Sequence, residues 1–409
     1  MAAFADGIVL FHANSITAIT ADGFRQDPYF HYFTGLQNTV GALLAIDGKS
    51  AESWLFLPNE SPFAESGLLP EARPSQETAK QLGIEHVVAW NELSAFLTAR
   101  SGSATPLYYV NDFTKFAELP PNLLNEKSPT APTWLQLILQ RWPAFQAQEA
   151  GERIGSMLAV QNKDEIAALR SAANATVTAM VVVMRAVRPG VSQRAIESVV
   201  ESSCWKSGAH GVSFWPWAMS GENAVFPHPF TSLATYDHLD RFLQTGDLMR
   251  LDIGCEWKHY IGDLGRTLPV SGHFTEEQRE TWNIFVTAYR TGVRVLRDGV
   301  TVDEVFQAWR SELLRQRPSA TTQLARRAID IWSERKNVPY WQVHTTNLMA
   351  GFPIGPLRTG TTINFEPIAS IDGLGYFLED MYVITHDGAE LLTPGIPYSA
   401  DEIEAAIRR

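Results

Sequence analysis

Four acidic residues lie within apolar segments of the chain, where a carboxylate is costly to bury. Asp252 follows Leu-Met-Arg-Leu, Asp263 follows Tyr-Ile-Gly, Glu366 ends Ile-Asn-Phe-Glu, and Glu379 ends Tyr-Phe-Leu-Glu. These segments predict β-strands, in which Asp is disfavoured and Glu less so, and an unpaired buried carboxylate costs several kcal/mol. Each of the four acids therefore requires a compensating partner.

Two kinds of partner are open. Each acid could meet an Arg or a helix N-terminus or point to solvent, but Arg250, Lys258 and Arg266 are the only basic residues close to the first two acids, and none lies next to the last two. One or two shared divalent cations would satisfy all four, and ligand sets made of oxygen suit hard ions such as Mn, Mg or Ca. The pattern favours a metal centre.

The chain predicts two domains. Short apolar runs bounded by turn residues indicate strands at 8–11, 41–46, 54–57, 86–88 and 107–110, with helices at 76–82 and 92–97. A proline-rich stretch at 120–143, with one short helix at 134–141, indicates a linker. We expect a small α/β domain over residues 1–150 and a second domain over 151–409.

The second domain predicts α+β structure with a mainly antiparallel sheet. Three capping-box patterns indicate helix starts, at Asn162 with Glu165, at Thr275 with Gln278, and at Thr301 with Glu304. Strands are indicated at 248–253, 257–261, 267–270, 361–365 and 376–385, so the four acids lie in or beside strands.

Composition narrows the class of partner and compartment. The net charge of −12 comes without any Lys/Arg-rich block, which argues against nucleic acid or an anionic membrane surface as a partner. The apolar stretch around 177–187 contains Arg185, and the start of the chain lacks a basic region, so neither a membrane span nor a signal peptide is expected. Cys204 and Cys255 are too few for a disulfide framework, which favours a reducing cytoplasm and makes Cys255 a core residue rather than a nucleophile.

These motifs, in this order and spacing, resemble aminopeptidase P, one of the pita-bread metallopeptidases, which include prolidase, methionine aminopeptidase and creatinase. Phe-Arg-Gln-Asp at 24–27, Phe-His-Tyr-Phe-Thr-Gly at 30–35 and Leu-Phe-Leu-Pro at 55–58 resemble the N-terminal domain of that family. Ser-Gly-Glu-Asn at 220–223, leading to His228, resembles the segment with a substrate-side histidine. The resemblance implies an α/β N-terminal domain, an α+β pita-bread catalytic domain, a homodimer, and metal ligation by Asp252, Asp263, Glu366 and Glu379.

The fifth ligand of the family is a histidine in a His-x-x-Gly-His-x-x-Gly segment. The matching stretch, 343–351, aligns His344 with the first, non-ligating histidine and places Leu348 at the ligand position. The alignment predicts that this ligand is missing. A shifted alignment that makes His344 the ligand spoils the match to Gly351, but the shorter loop to Glu366 keeps it open.

Further departures fall on the substrate side. Gly355 stands at the position of another active-site histidine, Phe377 at that of an Arg two residues before the last Glu, and Ile368 at that of a Gly. Loss of these polar groups predicts altered recognition of proline-containing peptides. Two roles are open for the aromatic residues: they pack in the core, or they form an apolar wall of the substrate pocket that binds a ring. These residues are Trp215, Trp217, Phe226 and Phe377.

The resemblance implies a metal-dependent hydrolase of a small amide or short peptide, different from an ordinary Xaa-Pro peptidase. Glu366 is the expected general base, and His228 and His344 are expected to stabilise the oxyanion, with a structural role open for each. One or two weakly bound ions, Mn or Mg in preference to Zn, are expected from the carboxylate ligands. Two alternatives stay open: a pita-bread enzyme of different, metal-independent chemistry on a small molecule, and a non-catalytic binding module.

Overall fold

The computed structural model describes residues 4–14, 24–58, 71–102, 104–110, 132–225, 241–338, 341–348, 350–351, 353 and 355–408. The chain divides into two compact units, Met1–Gly155 and Ser156–Arg409. The division falls five residues beyond the end of the domain predicted over 1–150. Residues 120–131 of the predicted linker at 120–143 lie outside the described residues.

The described part of the first unit contains a mixed six-stranded sheet of order β4-β3-β2-β1-β5-β6. Its strands are β1 Ile8–His12, β2 Leu43–Asp47, β3 Glu52–Leu57, β4 His86–Ala89, β5 Thr105–Tyr109 and β6 Phe145–Glu149. The helices before and within it are α1 Pro28–Thr34, α2 Gln76–Leu82, α3 Leu93–Arg100 and α4 Thr133–Arg141, followed by α5 Gly151–Met157. The β1–β2 and β2–β3 pairs are antiparallel and the other three pairs parallel, so the predicted α/β class is confirmed.

The motif at 24–35 forms a short capped helix. The Asp27 carboxylate accepts a hydrogen bond from the backbone N–H of Phe30 at 2.7 Å, and Pro28 opens α1. Gly35 ends the helix with a φ of 72°, in the left-handed region that glycine adopts without a steric penalty. These three residues account for the Asp-Pro and Gly positions of the motif.

The second unit is built on an antiparallel sheet, described here in the order β13-β12-β14-β16-β11-β8-β7, with β15 and β17 also paired to β16. Its strands are β7 Trp217–Ser220, β8 Leu248–Ile253, β9 Glu256–Trp257, β10 Tyr260–Ile261, β11 Leu264–Pro269, β12 Gln342–Thr346, β13 Ala350–Gly351, β14 Thr362–Glu366, β15 Ile368–Ile371, β16 Leu374–Ile384 and β17 Ala389–Leu391. Its helices are α6 Lys163–Ala186, α7 Gln193–Lys206, α8 Glu276–Val293, α9 Val302–Gln316, α10 Gln323–Trp332 and α11 Ala400–Arg408. Single 3₁₀ turns occur at Trp90–Glu92, Gly221–Ala224, Arg317–Ser319 and Arg335–Asn337. The predicted α+β class is confirmed.

All three predicted capping boxes are present. The side chains of Asn162, Thr275 and Thr301 each accept a hydrogen bond from the N–H three residues on, and the acidic or amide side chain at that position returns the bond. The helices α6, α8 and α9 therefore begin where the sequence predicts. Helix α7, helix α10 and strand β12 were not predicted from the sequence.

Aromatic side chains fill the core between the sheet and helices α8, α9 and α10. Trp282, Trp309, Trp332 and Trp341 are fully buried there, and the ring of Phe285 meets those of Trp309 and Trp332 edge to face. Such contacts add to the free energy gained from burying the ring surfaces. They give the sheet a rigid backing on the helical side.

Helix α6 is long and apolar enough, by length and composition alone, to cross a membrane. A core helix passes the same test, and Ala179, Met180 and Val183 of α6 pack within the main hydrophobic core of the unit. The helix is therefore weak support for a membrane span.

Cys204 and Cys255 form a disulfide, with their Cα atoms 5.4 Å apart. Cys204 lies on α7 and Cys255 follows β8, so the bond ties α7 to the hairpin that carries Asp252 and Asp263. Cys255 is buried, as expected of a core residue, but the expectation of reduced cysteines is wrong. The two cysteines are 51 residues apart in the sequence, and the packing of α7 on the hairpin brings them together.

Reduction of this disulfide should destabilise the second unit by about 2–4 kcal/mol, because the reduced unfolded chain gains the freedom of the opened loop. Thermal unfolding followed by circular dichroism should show a melting temperature several degrees lower with reductant than without. The double variant Cys204→Ala/Cys255→Ala should melt at one temperature under both conditions. Alkylation of both thiols in unfolded, never-reduced protein would contradict the pairing.

Candidate metal centre

Strand register brings the four predicted carboxylates onto one face of the antiparallel sheet. Gly265 of β11 pairs with Asp252 on one side and with Glu379 on the other. Phe365 pairs with Asp380, which puts Glu366 opposite Glu379 one residue along. Because side chains alternate across a strand, these acids share a face, and Asp263 lies on the same face just before β11.

The imidazole of His344 lies among these carboxylates. Its Nε2 is 3.1 Å from Glu366 Oε2, 3.2 Å from Glu379 Oε1 and 3.6 Å from Asp263 Oδ2. Donor atoms of Asp263, His344 and Glu379 lie within 4.8 Å of one another, an arrangement able to hold a divalent metal ion. Leu348 lies beyond the end of β12 and contributes no donor atom, whereas His344 offers an imidazole to the cluster, as the shifted alignment allowed.

The orientation of His344 suits a metal ligand. Its Nδ1 lies 3.2 Å from the carbonyl oxygen of Thr345, which can only accept a hydrogen bond. In the neutral ring the proton is therefore held at Nδ1, and the lone pair of Nε2 faces the carboxylate cluster. The role of His344 as an oxyanion donor stays a prediction, and the contacts of its Nε2 with Glu366 and Glu379 favour metal ligation.

Three polar side chains orient the carboxylates. Gln342 Nε2 donates to Glu366 Oε2 at 2.7 Å, and Asn364 Nδ2 donates to Glu379 Oε1 at 2.8 Å. Thr346 Oγ1 in turn donates to Asn364 Oδ1 at 2.6 Å. Sequence reasoning missed all three, although the alternation of β12 and β14 signals them. Asn364 is two residues from Glu366, and Gln342 and Thr346 flank His344 at the same spacing.

Burial and mutual repulsion shift the acid–base behaviour of the metal-free cluster. The exposed fractions of its side chains run from 1% for Glu379 to 14% for Asp252. Burial, with the charge of Glu366 added, raises the pKa of Asp252 to about 7 and that of Glu379 to about 8. Burial and the charge of Glu379 raise the pKa of Asp263 well above its usual value. Burial opposes the imidazolium of His344, but hydrogen bonds to Glu366 and Glu379 raise its pKa well above the ordinary value.

Two buried carboxylate oxygens support a cation at this position. Asp263 Oδ1 and Glu379 Oε2 have no hydrogen-bond partner within the described structure. Buried acceptors are otherwise almost always satisfied, and a lone carboxylate oxygen in such surroundings carries a large desolvation cost. Asp263, His344 and Glu379 therefore fit a divalent ion by both geometry and donor chemistry, and Asp252 and Glu366 add carboxylates on the same face of the sheet.

The predicted pocket residues are only partly described. Trp215 and Trp217 are half-buried with ring centroids 6.2 Å apart, and Phe377 is fully buried. Gly355 has a φ of 77°, a conformation that favours glycine. The predicted residues His228 and Phe226 lie outside the described residues.

The metal-free protein should lose stability as the pH rises from about 5 to about 8. Folded pKa values of about 7 for Asp252 and about 8 for Glu379 exceed the unfolded values near 4, so the folded state binds more protons in this range. The raised pKa of His344 acts in the same direction. Melting temperatures of chelator-treated protein should fall with pH, and those in excess Mn²⁺ should rise, because ligands must lose protons to bind.

The variant Asp252→Asn provides the matched control for this pH dependence. It removes one titrating ligand, so its metal-free melting temperature should depend less steeply on pH than that of the parent protein. A flat profile in the metal-free parent protein would show that the cluster is ionised without metal.

Comparison with known proteins identifies the family of this chain. Residues 167–386, more than half of the chain, match the model of metallopeptidase family M24, and residues 1–108 match that of the aminopeptidase P N-terminal domain. The Xaa-Pro aminopeptidase of Escherichia coli K12 is 26% identical and aligns over 97% of this chain and 92% of its own length. The Xaa-Pro aminopeptidase of Haemophilus influenzae Rd is 24% identical over 93% of this chain and 88% of its own.

Solved structures show the same fold. Proline aminopeptidase P II from Yersinia pestis superposes with a TM-score of 0.77 at 22% identity, covering 100% of this chain and 97% of that one. Aminopeptidase P from Escherichia coli with the inhibitor Pro-Leu gives a TM-score of 0.75 at 24% identity, covering 100% and 96%. The chain belongs to metallopeptidase family M24 and is an aminopeptidase P-like hydrolase, with the N-terminal domain of that group followed by a pita-bread catalytic domain.

Proposed function

We propose that this protein is a metal-dependent aminopeptidase that releases the N-terminal residue from short peptides, with Xaa-Pro peptides as its first class of substrate. The observation that carries the proposal is the position of His344, whose Nε2 lies within 3.1–3.6 Å of three buried carboxylates. It completes a ligand set of four acids and one imidazole. The relatives from Escherichia coli and Haemophilus influenzae both carry the name Xaa-Pro aminopeptidase.

Residues Asp252, Asp263, Glu366, Glu379 and His344 would hold the cation. A bound divalent ion lowers the pKa of water and polarises a carbonyl group. Glu366 acts as the base, taking a proton from the attacking water at its carboxylate and returning it to the leaving amine. Gln342 Nε2 donates to Glu366 Oε2 at 2.7 Å and so holds that carboxylate in one orientation for the transfer.

Recognition of the substrate is the part that departs from the family pattern. Phe377 and Gly355 lack the polar groups expected at their positions, which supports weaker binding of peptides that depend on those contacts. The position of His344 among the acids supports a metal-dependent hydrolase over a different chemistry or a non-catalytic module. A small amide remains a second substrate class to be screened.

Three further properties stay predictions. Four carboxylates favour Mn²⁺ or Mg²⁺, but an imidazole ligand also suits Zn²⁺. The preference for Mn²⁺ over Zn²⁺ is therefore weaker than a ligand set of carboxylates alone would give. A homodimer and a cytoplasmic location are likewise predictions. The Cys204–Cys255 disulfide weighs against a reducing compartment, because such bonds persist chiefly under oxidising conditions.

The proposal is tested by steady-state cleavage of Xaa-Pro tripeptides against matched Xaa-Ala tripeptides in the presence of Mn²⁺. Glu366→Gln should lower kcat by at least about 100-fold, because the amide cannot accept the proton. Glu390→Gln is the control; this acid is exposed and pairs with Arg170 on the surface, so kcat should stay within about twofold. Equal residual turnover in the parent protein and in Glu366→Gln would overturn the proposal.

The assignment of the histidine ligand is tested by two single substitutions. His344→Ala should weaken Mn²⁺ binding by about 10-fold or more, since it removes a ligand from a buried site. Leu348→His should leave binding unchanged, because His344 already supplies the imidazole of the proposed ligand set. Isothermal titration of metal-stripped protein measures both. Tighter binding in Leu348→His, with no loss in His344→Ala, would restore the alignment that placed the ligand at residue 348.

A further inference from the structure

Arg250 lies on the same face of β8 as Asp252, two residues before it. Its side chain is 2% exposed, and its Nη2 is 3.5 Å from Asp252 Oδ2. It pairs across the sheet with Thr267, whose hydroxyl bonds both the N–H and the carbonyl of Phe377. Arg250 and Phe377 therefore lie in one row across the sheet, next to the row of Asp252 and Glu379.

Aromatic rings fix the guanidinium of Arg250. Its Cζ lies 4.8 Å from the centre of the Phe377 ring and 5.7 Å from that of Trp217. Stacking of this kind suits the planar, weakly hydrated guanidinium and adds attraction when the pair is desolvated. The buried charge is thereby held in one place rather than left to choose among rotamers.

The ring of Phe377 reaches the row of carboxylates. A Cβ atom added to Gly265 would collide with the edge of this ring. Gly265 is the register partner of both Asp252 and Glu379. A longer polar side chain at position 377 that followed the path of the ring would therefore arrive between these two acids, which is the place that the family pattern gives to an Arg.

The charges around Arg250 indicate why a guanidinium is kept here. Burial lowers the pKa of Arg250, but the carboxylates of Asp252, Glu366 and Glu379 oppose that effect, and an arginine stays protonated in proteins. It therefore places a permanent positive charge beside three acids of the cluster. At 3.5 Å such a charge draws the carboxylate of Asp252 to a fixed direction.

We infer that Arg250 is a positioning residue of the centre, which holds Asp252 in its ligating orientation from β8, and that a guanidinium carried by position 377 would reach the same acids. The inference deepens the proposed function and rests on it. It predicts that the guanidinium can be moved from one strand to the other without loss of the site.

Removal and relocation of the guanidinium test this inference. Arg250→Met should lower kcat on an Xaa-Pro tripeptide by at least about 10-fold with KM changed by less than about threefold, because orientation of a ligand acts on the chemical step. Arg250→Met/Phe377→Arg should recover kcat to within about threefold of the parent value. Phe377→Arg alone should lower both kcat and the melting temperature, because it buries two guanidinium groups side by side.

A matched control separates positioning from packing. Arg290→Met removes another arginine stacked on an aromatic ring, 4.9 Å from the centre of Tyr398, and should leave kcat within about twofold. Arg250→Met with the kcat of the parent protein would overturn the inference. Loss of kcat in step with a fall in melting temperature, without recovery in the relocated variant, would show a structural role instead.

Mn²⁺ titration keeps the inference separate from the proposed function. If the parent protein binds Mn²⁺ but cleaves no peptide, the proposed function fails and the inference is judged by a double-mutant cycle. The change in Mn²⁺ affinity caused by Arg250→Met should differ at least about threefold between the Asp252 and Asp252→Asn backgrounds. Additive effects in that cycle would overturn the inference without reference to activity.

Discussion

Mutual repulsion among buried carboxylates is the constraint on which the rest of this structure depends. Asp252, Asp263, Glu366 and Glu379 come from four separate places in the chain, and each is costly to bury as an anion. Burial, together with the neighbouring negative charges, raises the pKa values of Asp252, Asp263 and Glu379 in the metal-free state. The fold must therefore hold them together against their own charge, and it does so through the backbone of the sheet rather than through pairing of the acids themselves.

A second buried charge cluster, on the opposite face of the sheet, helps to fix the strands that carry these acids. Arg266 donates to the carbonyl oxygens of Gly265 and Glu379 at 2.7 and 2.8 Å and to the carboxylate of Asp380 at 3.0 Å. Asp380 also accepts hydrogen bonds from the hydroxyl groups of Tyr289, Thr393 and Tyr398. A buried ion pair needs such full satisfaction to offset its desolvation cost. Because neighbouring residues of a strand face opposite sides, fixing Asp380 in the core aims Glu379 at the metal centre.

The parts of the site that could be predicted are those with a local signal. Acids inside apolar strands and helix caps show in short segments of sequence, so Asp252, Glu379 and the cap of α6 were found. His344, Gln342 and Asn364 depend on register between β12 and β14, where His344 pairs with Asn364 and Gln342 with Glu366. Spacing from glycines therefore aligned His344 with a non-ligating position, whereas the register places its ring among the acids. The Cys204–Cys255 disulfide depends on the packing of a helix that was not predicted at all.

The same distinction bears on how divergence at such a site should be interpreted. A motif compares one position of a strand with the same position in a relative, and at residue 377 that comparison records the loss of a guanidinium. The sheet is organised in rows across strands, and the row of Phe377 and Thr267 includes Arg250. The electrostatic field at a site is the sum of the charges of all side chains that converge there, so a side chain on a neighbouring strand can supply a missing charge. The loss of a polar group from one strand therefore changes the chemistry of the site only when no residue in the same row, on another strand, supplies an equivalent group.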